Sequence, residues 1–118
     1  LKTIKKNLKN KNSLLIIEVP NFDSFWRKIM KDRWPGYFYL FHYYVFSKQF
    51  LKDYLSKNDL KVIGEQNLEP AIIGSFLLTF GINKSICKFF SLIFYPFQFL
   101  ISKIFLSSEA ILLIVKKR

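Results

Sequence analysis

Three short apolar runs, at residues 14–19, 60–66 and 109–118, are separated by segments whose apolar residues recur at helical spacing. Each run is far too short to cross a membrane. The β-branched content of the first, "LLIIEV", and its closure by Pro20-Asn21 predict a strand rather than a helix. That run does not alternate with polar residues. The pattern predicts a strand covered on both faces, as in a parallel sheet, with a neighbour on either side. The order along the chain is helix, strand, long loop, helix, strand, apolar helical region, strand, which predicts an α/β sheet. Three such strands cover one another poorly. Further strands are therefore expected upstream, and a chain that begins with Leu is expected to be a piece of something longer.

The connecting segments read as follows. Leu1, Ile4 and Leu8 fall on one helical face, opposite Lys2, Lys5, Lys6 and Lys9. Asn10-Lys11-Asn12-Ser13 is a polar turn. Residues 21–36 predict a loop with a short helix, ending at Pro35-Gly36. Ser47 is placed to cap a helix that carries Phe50, Leu51, Tyr54 and Leu55 on one face. Asn58-Asp59 should close it in the left-handed conformation. The insertion at residues 71–108 is the most apolar region. Its longest charge-free stretches, 70–83 and 89–102, fall short of the ~20 residues of a membrane span, and Pro96 is expected to kink or end a helix. That insertion has three readings: a cap over a substrate site, an amphipathic hairpin at a lipid surface through Lys84, Lys88 and Lys103, and, least favoured, a span.

Composition narrows the partners. Hydrophobic residues at 51% exclude a disordered chain. A net charge of +11 points to nucleic acid or an anionic membrane surface. Nearly all of that charge is Lys, with Arg only at positions 27, 33 and 118, and phosphate recognition favours the guanidinium fork. A membrane surface therefore ranks first and nucleic acid is disfavoured, although aromatic residues among basic ones also suit base stacking. With one cysteine, Cys87, and one histidine, His42, neither a disulfide framework nor a His/Cys metal site is expected. Cys87, among Ile86, Phe89 and Phe90, is expected to be a buried thiol.

The run from Leu1 to Phe38, followed by "HYYVFSKQFLKDYLSKNDLKV", resembles the C-terminal half of class I S-adenosylmethionine-dependent methyltransferases. The nearest group is bacterial and modifies small molecules, lipids and saccharides. The resemblance is carried by Pro20-Asn21, Trp34, and His42 through Phe46-Ser47, with "AILLIVKKR" as a final strand. It implies three strands of a seven-stranded Rossmann-like sheet with an apolar helical insertion. Residues 1–70 would be the core portion, 71–108 the cap or membrane-surface segment, and 109–118 the last strand and basic tail. Two departures mark a divergent member. Asn10-Lys11-Asn12 stands where a Pro-Gly-Gly-like turn is usual, and Asp59 stands for a capping Gly. The family's Gly-rich cofactor turn is also missing, because none of Gly36, Gly64, Gly74 and Gly81 forms G-x-G. S-adenosylmethionine would then be bound mainly by an upstream half, and this fragment would be inactive alone.

Ligands of open α/β sheets gather at the carboxyl ends of strands. Glu18 and Asn21 lie there, as substrate contacts or else as a locally satisfied carboxylate and a turn or cap residue. His42 is the chain's one imidazole, the group best suited to taking a proton near neutral pH. It is the candidate catalytic base, or else a packed histidine. Trp34 and Tyr44, with Trp26, Tyr37, Tyr39 and Tyr43, are candidates to line an acceptor pocket, or are core and lid. The implied function is methyl transfer to a small-molecule, lipid or saccharide acceptor. The implied location is cytoplasmic, peripheral at the inner face of the membrane. The alternative is a non-catalytic basic, aromatic membrane-surface binding module.

Overall fold

The computed structural model describes residues 2–8, 10, 12–37, 42 and 44–118; the expectations for Leu1, Lys9, Lys11, Tyr39 and Tyr43 lie outside them. The order is α1 (Lys2–Asn7), β1 (Leu14–Pro20), α2 (Phe25–Met30), two 3-10 turns (Lys31–Arg33 and Pro35–Tyr37), α3 (Lys48–Ser56), β2 (Leu60–Leu68), α4 (Ile73–Leu78), α5 (Lys84–Ile104) and β3 (Ala110–Lys117). The class is α/β, with all three predicted strands and an apolar helical insertion before the last.

The sheet order is β1-β3-β2, and β3 runs antiparallel to both neighbours. β1 and β2 therefore run parallel to each other, joined by a crossover that carries α3. This corrects the expectation that β1 is an interior strand of a parallel sheet. It lies at the edge, and its side chains alternate between exposed and half-buried. The physical reason is that the last strand fills the gap between the first two, while only one face of the sheet is covered.

On the covered face, Leu51 and Leu55 of α3 pack with Leu8, Ile111, Leu113 and Val115, all nearly or fully buried. The open face leaves Leu14 and Ile16 58% and 64% exposed, so the apolar run of β1 is real but half of it meets no partner. α3 forms as its sequence predicts. Ser47 Oγ accepts from Phe50 N at 3.2 Å, and Asp59 takes a φ of 58° before β2 begins.

A second cluster, Trp26, Met30, Trp34 and Ile72, sits beyond the carboxyl ends of β1 and β2, where α2 and the start of α4 meet. From it projects the α4–α5 hairpin. The radius of gyration of 16.3 Å exceeds the ~13 Å of a compact 100-residue chain by more than length explains. Gly74 sets the approach of the two helices, since a Cβ there would lie 2.7 Å from the Cys87 carbonyl oxygen and collide with Ser91 Oγ. Cys87 is buried as expected, its Sγ donating to the Ile82 carbonyl.

Pro96 neither ends nor divides α5, which runs through it for 21 residues. Ser91 before the proline and Gln98 after it are both bonded to the α4 segment, and these anchors hold the two halves in line. By length and composition α5 as a whole is a candidate to cross a bilayer, while its charge-free part remains the 14 residues from Phe89 to Ser102 that the sequence shows.

The core assignment makes a direct prediction. Leu55→Ala, at 1% exposure, should lower the unfolding free energy by ~2–5 kcal/mol, whereas Ile16→Ala on the open face should change it by less than ~1 kcal/mol. Urea denaturation followed by circular dichroism measures both. Equal losses would contradict the one-sided core.

Candidate functional site

The two parallel strands end on the same side, and the amino end of β3 enters between them. A cavity of ≈ 320 Å³ opens at this junction, bounded by Glu18–Pro20 of β1, Trp34–Gly36, His42, Pro70–Ile72 and Glu109. Its size suits a small organic ligand.

Three of the residues singled out in the sequence meet here although they come from separate segments. Glu18 and the His42 imidazole are exposed at the rim. No hydrogen bond or ion pair among the described residues occupies the Glu18 carboxylate. Trp34 is 2% exposed and forms a wall, its ring packed edge-on against Tyr37 at 5.1 Å and directly over Gly36, where no Cβ would fit.

Asn21 and Tyr44 stand apart. Asn21 is buried, and its polar atoms are used within the loop. Nδ2 donates to the Ser108 carbonyl at 2.9 Å and Oδ1 accepts from Asp23 N at 3.0 Å. Its backbone N–H donates to the Glu109 carbonyl. This is the turn role, and it fixes the loop that leaves β1. Tyr44 is 77% exposed and stacks at 6.4 Å on Phe46, which begins a ladder continuing through Phe50 to Tyr54 on the outside of α3. Trp26 is core, its Nε1 donating to Ser102 Oγ at 3.3 Å. Tyr37 accepts from the Arg27 guanidinium at 3.1 Å.

The residue that sequence reasoning passed over is Glu109. It is 2% exposed at the inner end of the cavity, one residue before β3. Its Oε2 accepts from Trp34 Nε1 at 2.7 Å, and its Oε1 from the Ser24 hydroxyl. Ser24 in turn caps α2 by accepting from Arg27 N at 3.2 Å. Burial raises the Glu109 pKa above the usual carboxylate range, opposed by the Ser24 and Trp34 hydrogen bonds. The signal was present in "SSEAILLIV", an acid directly preceding a buried apolar strand, where a charge requires dedicated donors.

A second acid lies close behind. Burial, chiefly, also raises the Glu69 pKa; the Ser102 hydroxyl acts against the shift and the Glu109 charge adds to it. Glu69 Oε2 is enclosed with no partner of hydrogen-bonding geometry. The arrangement provides a partly enclosed apolar pocket with an imidazole and a carboxylate at its mouth and a buried, donor-satisfied acid at its back.

No protein-family model, curated protein or solved structure matches the chain.

The two raised carboxyls set the pH response. A group whose pKa is higher folded than unfolded stabilises fully below the unfolded value, and that contribution is lost as pH rises through the folded value. Stability should therefore fall as pH climbs from about 4.3, the ordinary glutamate value, toward neutrality. Glu65, held low by Lys52 and Lys48, acts in the opposite sense and loses its contribution as pH falls, but this pair is exposed and weak. Glu109→Gln keeps a neutral hydrogen-bonding group in place. Its urea-unfolding free energy should depend less on pH than that of the parent protein. An unchanged slope would show that Glu109 does not govern the titration.

Proposed function

We propose that the chain supplies the acceptor side of a class I S-adenosylmethionine-dependent methyltransferase. The observation that carries this reading is the meeting of Glu18, Trp34 and His42 around one cavity at the carboxyl ends of a parallel strand pair, the position where open α/β sheets hold their ligands. Pro20, Trp34 and His42, which carry part of the sequence resemblance, are among the residues that form the cavity.

The described residues do not themselves fit the cofactor. No Gly-rich turn follows a strand among them. No step of donor binding is therefore assigned to them. What these residues offer belongs to the acceptor. Trp34, Pro35 and Ile72 provide apolar walls that exclude water, and Glu18 offers a hydrogen-bond acceptor at the rim. His42 can take the proton that an oxygen or nitrogen nucleophile must lose on methylation. A small molecule, a saccharide precursor or the headgroup of a lipid is an acceptor of the right size.

Titration of S-adenosylmethionine by calorimetry tests the division of labour. A longer product that carries a cofactor-binding half should bind it, and the 118-residue chain alone should not. In the longer product, His42→Ala should reduce label transfer from methyl-labelled donor into a lipid and small-molecule extract by about 10²-fold or more, without changing donor affinity. Donor binding by the 118 residues alone, or transfer indifferent to His42, would overturn the proposal.

A further inference from the structure

We infer that the outer face of the α4–α5 hairpin seats in an anionic lipid surface, lying along the interface rather than crossing it. The inference rests on the hairpin alone, and holds whether or not the cavity transfers methyl groups.

The polarity of α5 is inverted relative to a helix that packs on a soluble body. Such a helix turns its apolar stripe inward. Here Gln98 and Ser102, at 0% and 3% exposure, point inward, while Ile86, Phe89, Ile93, Phe97, Leu100 and Ile104 are 49–63% exposed. Those six recur at intervals of three and four residues, so they form one continuous stripe. The orientation is fixed by hydrogen bonds. Gln98 Oε1 accepts from Ile72 N at 3.0 Å, and its Nε2 donates to the Pro70 carbonyl at 2.7 Å. Ser91 Oγ accepts from Gly74 N at 3.0 Å. Rotating the helix to hide its stripe would break all three and bury the freed groups unpaired.

Charge selects lipid as the occupant. From Pro70 to Ser108 the chain carries Lys84, Lys88 and Lys103 and no acid. Lys103 Nζ sits 5.2 Å from the Phe99 ring centre. The Arg33 guanidinium lies 4.4 Å from that of Phe80, near the far end of the hairpin. Aromatic rings beside cations, with long aliphatic stems, are what a headgroup layer accommodates. A second copy laid face to face on the same stripe would set these like charges against each other.

The end of α5 gives an independent observation. Ser107 N donates to the Ser102 carbonyl at 2.9 Å and Leu106 N to the Lys103 carbonyl at 3.2 Å, the bonding of a Schellman cap. Its left-handed position normally holds Gly. Here it holds Leu106, at φ 48° and 92% exposed, beside the exposed Phe105. A large apolar side chain kept in a strained, wholly projecting place fits an apolar medium around it.

Lying flat follows from the same contacts. The inward side is bonded to α4 at Ser91 and to the body at Tyr95, Gln98 and Ser102, the second half of the helix. The charge-free stretch, Phe89 to Ser102, is 14 residues, ~21 Å, against a ~30 Å hydrocarbon core.

Flotation of the full-length protein with phosphatidylcholine vesicles, with and without phosphatidylglycerol, is the test. The protein should float with the anionic vesicles only, and less as ionic strength rises. Ile93→Glu with Phe97→Glu should keep the circular dichroism spectrum and lower the bound fraction roughly tenfold. Lys88→Gln with Lys103→Gln should lower it several-fold and flatten the salt dependence. Leu106→Gly should raise the urea midpoint while weakening flotation, a combination that a purely structural role for Leu106 does not produce. No flotation, equal binding to neutral vesicles, or a lipid-free dimer dispersed by the Glu pair would overturn the inference.

Discussion

The buried Glu109 carboxylate is the interaction on which the arrangement depends. It takes Ser24 from the loop after β1 and Trp34 from the 3-10 turns, and fastens both to the residue that leads into the central strand. The sheet core and the Trp26–Trp34 cluster are otherwise separate apolar groups. A carboxylate removed from water needs donors on both oxygens, so this acid demands that its two partners be present and correctly placed. Because Trp34 is at once its donor and a cavity wall, the polar clamp and the shape of the pocket are one structure.

The hairpin is tied to the same pocket from the other side. Gln98 of α5 holds the backbone of Pro70 and Ile72, which bound the cavity opposite Trp34. The insertion therefore has two working surfaces. Its polar side braces a cavity wall, and its apolar side faces away from the body.

Much of this was legible in the residues. β-branched runs closed by Pro or polar turns gave the strands, and Ser47 and Asp59 gave the bounds of α3, because caps and short apolar runs are local physics. Strand order was not legible. Nothing within "LLIIEV" distinguishes a run covered on both faces from one whose second face lies open, since the difference lies in neighbours distant in sequence. Pro96 misled for a related reason: a local rule for breaking helices was outweighed by side-chain anchors before and after it. Glu18 could be nominated because the carboxyl end of a strand is a known position for ligands, His42 because it is the one imidazole, and Trp34 as an aromatic of the segment after β1. Glu109 could not, because its role depends on Ser24 and Trp34, more than 70 residues earlier.

The placement of β3 bears on how the protein comes into being. The last of the three strands in the chain occupies the middle of the sheet, and among the described residues it supplies the ladder bonds of β1 and β2. Until β3 has emerged from the ribosome, the two earlier strands lack the partner that joins them. Their apolar side chains wait through the synthesis of the entire hairpin. Closure of these three strands therefore follows the making of the hairpin, and pairing across so long a separation is of the slow kind that leaves strands open to misassociation.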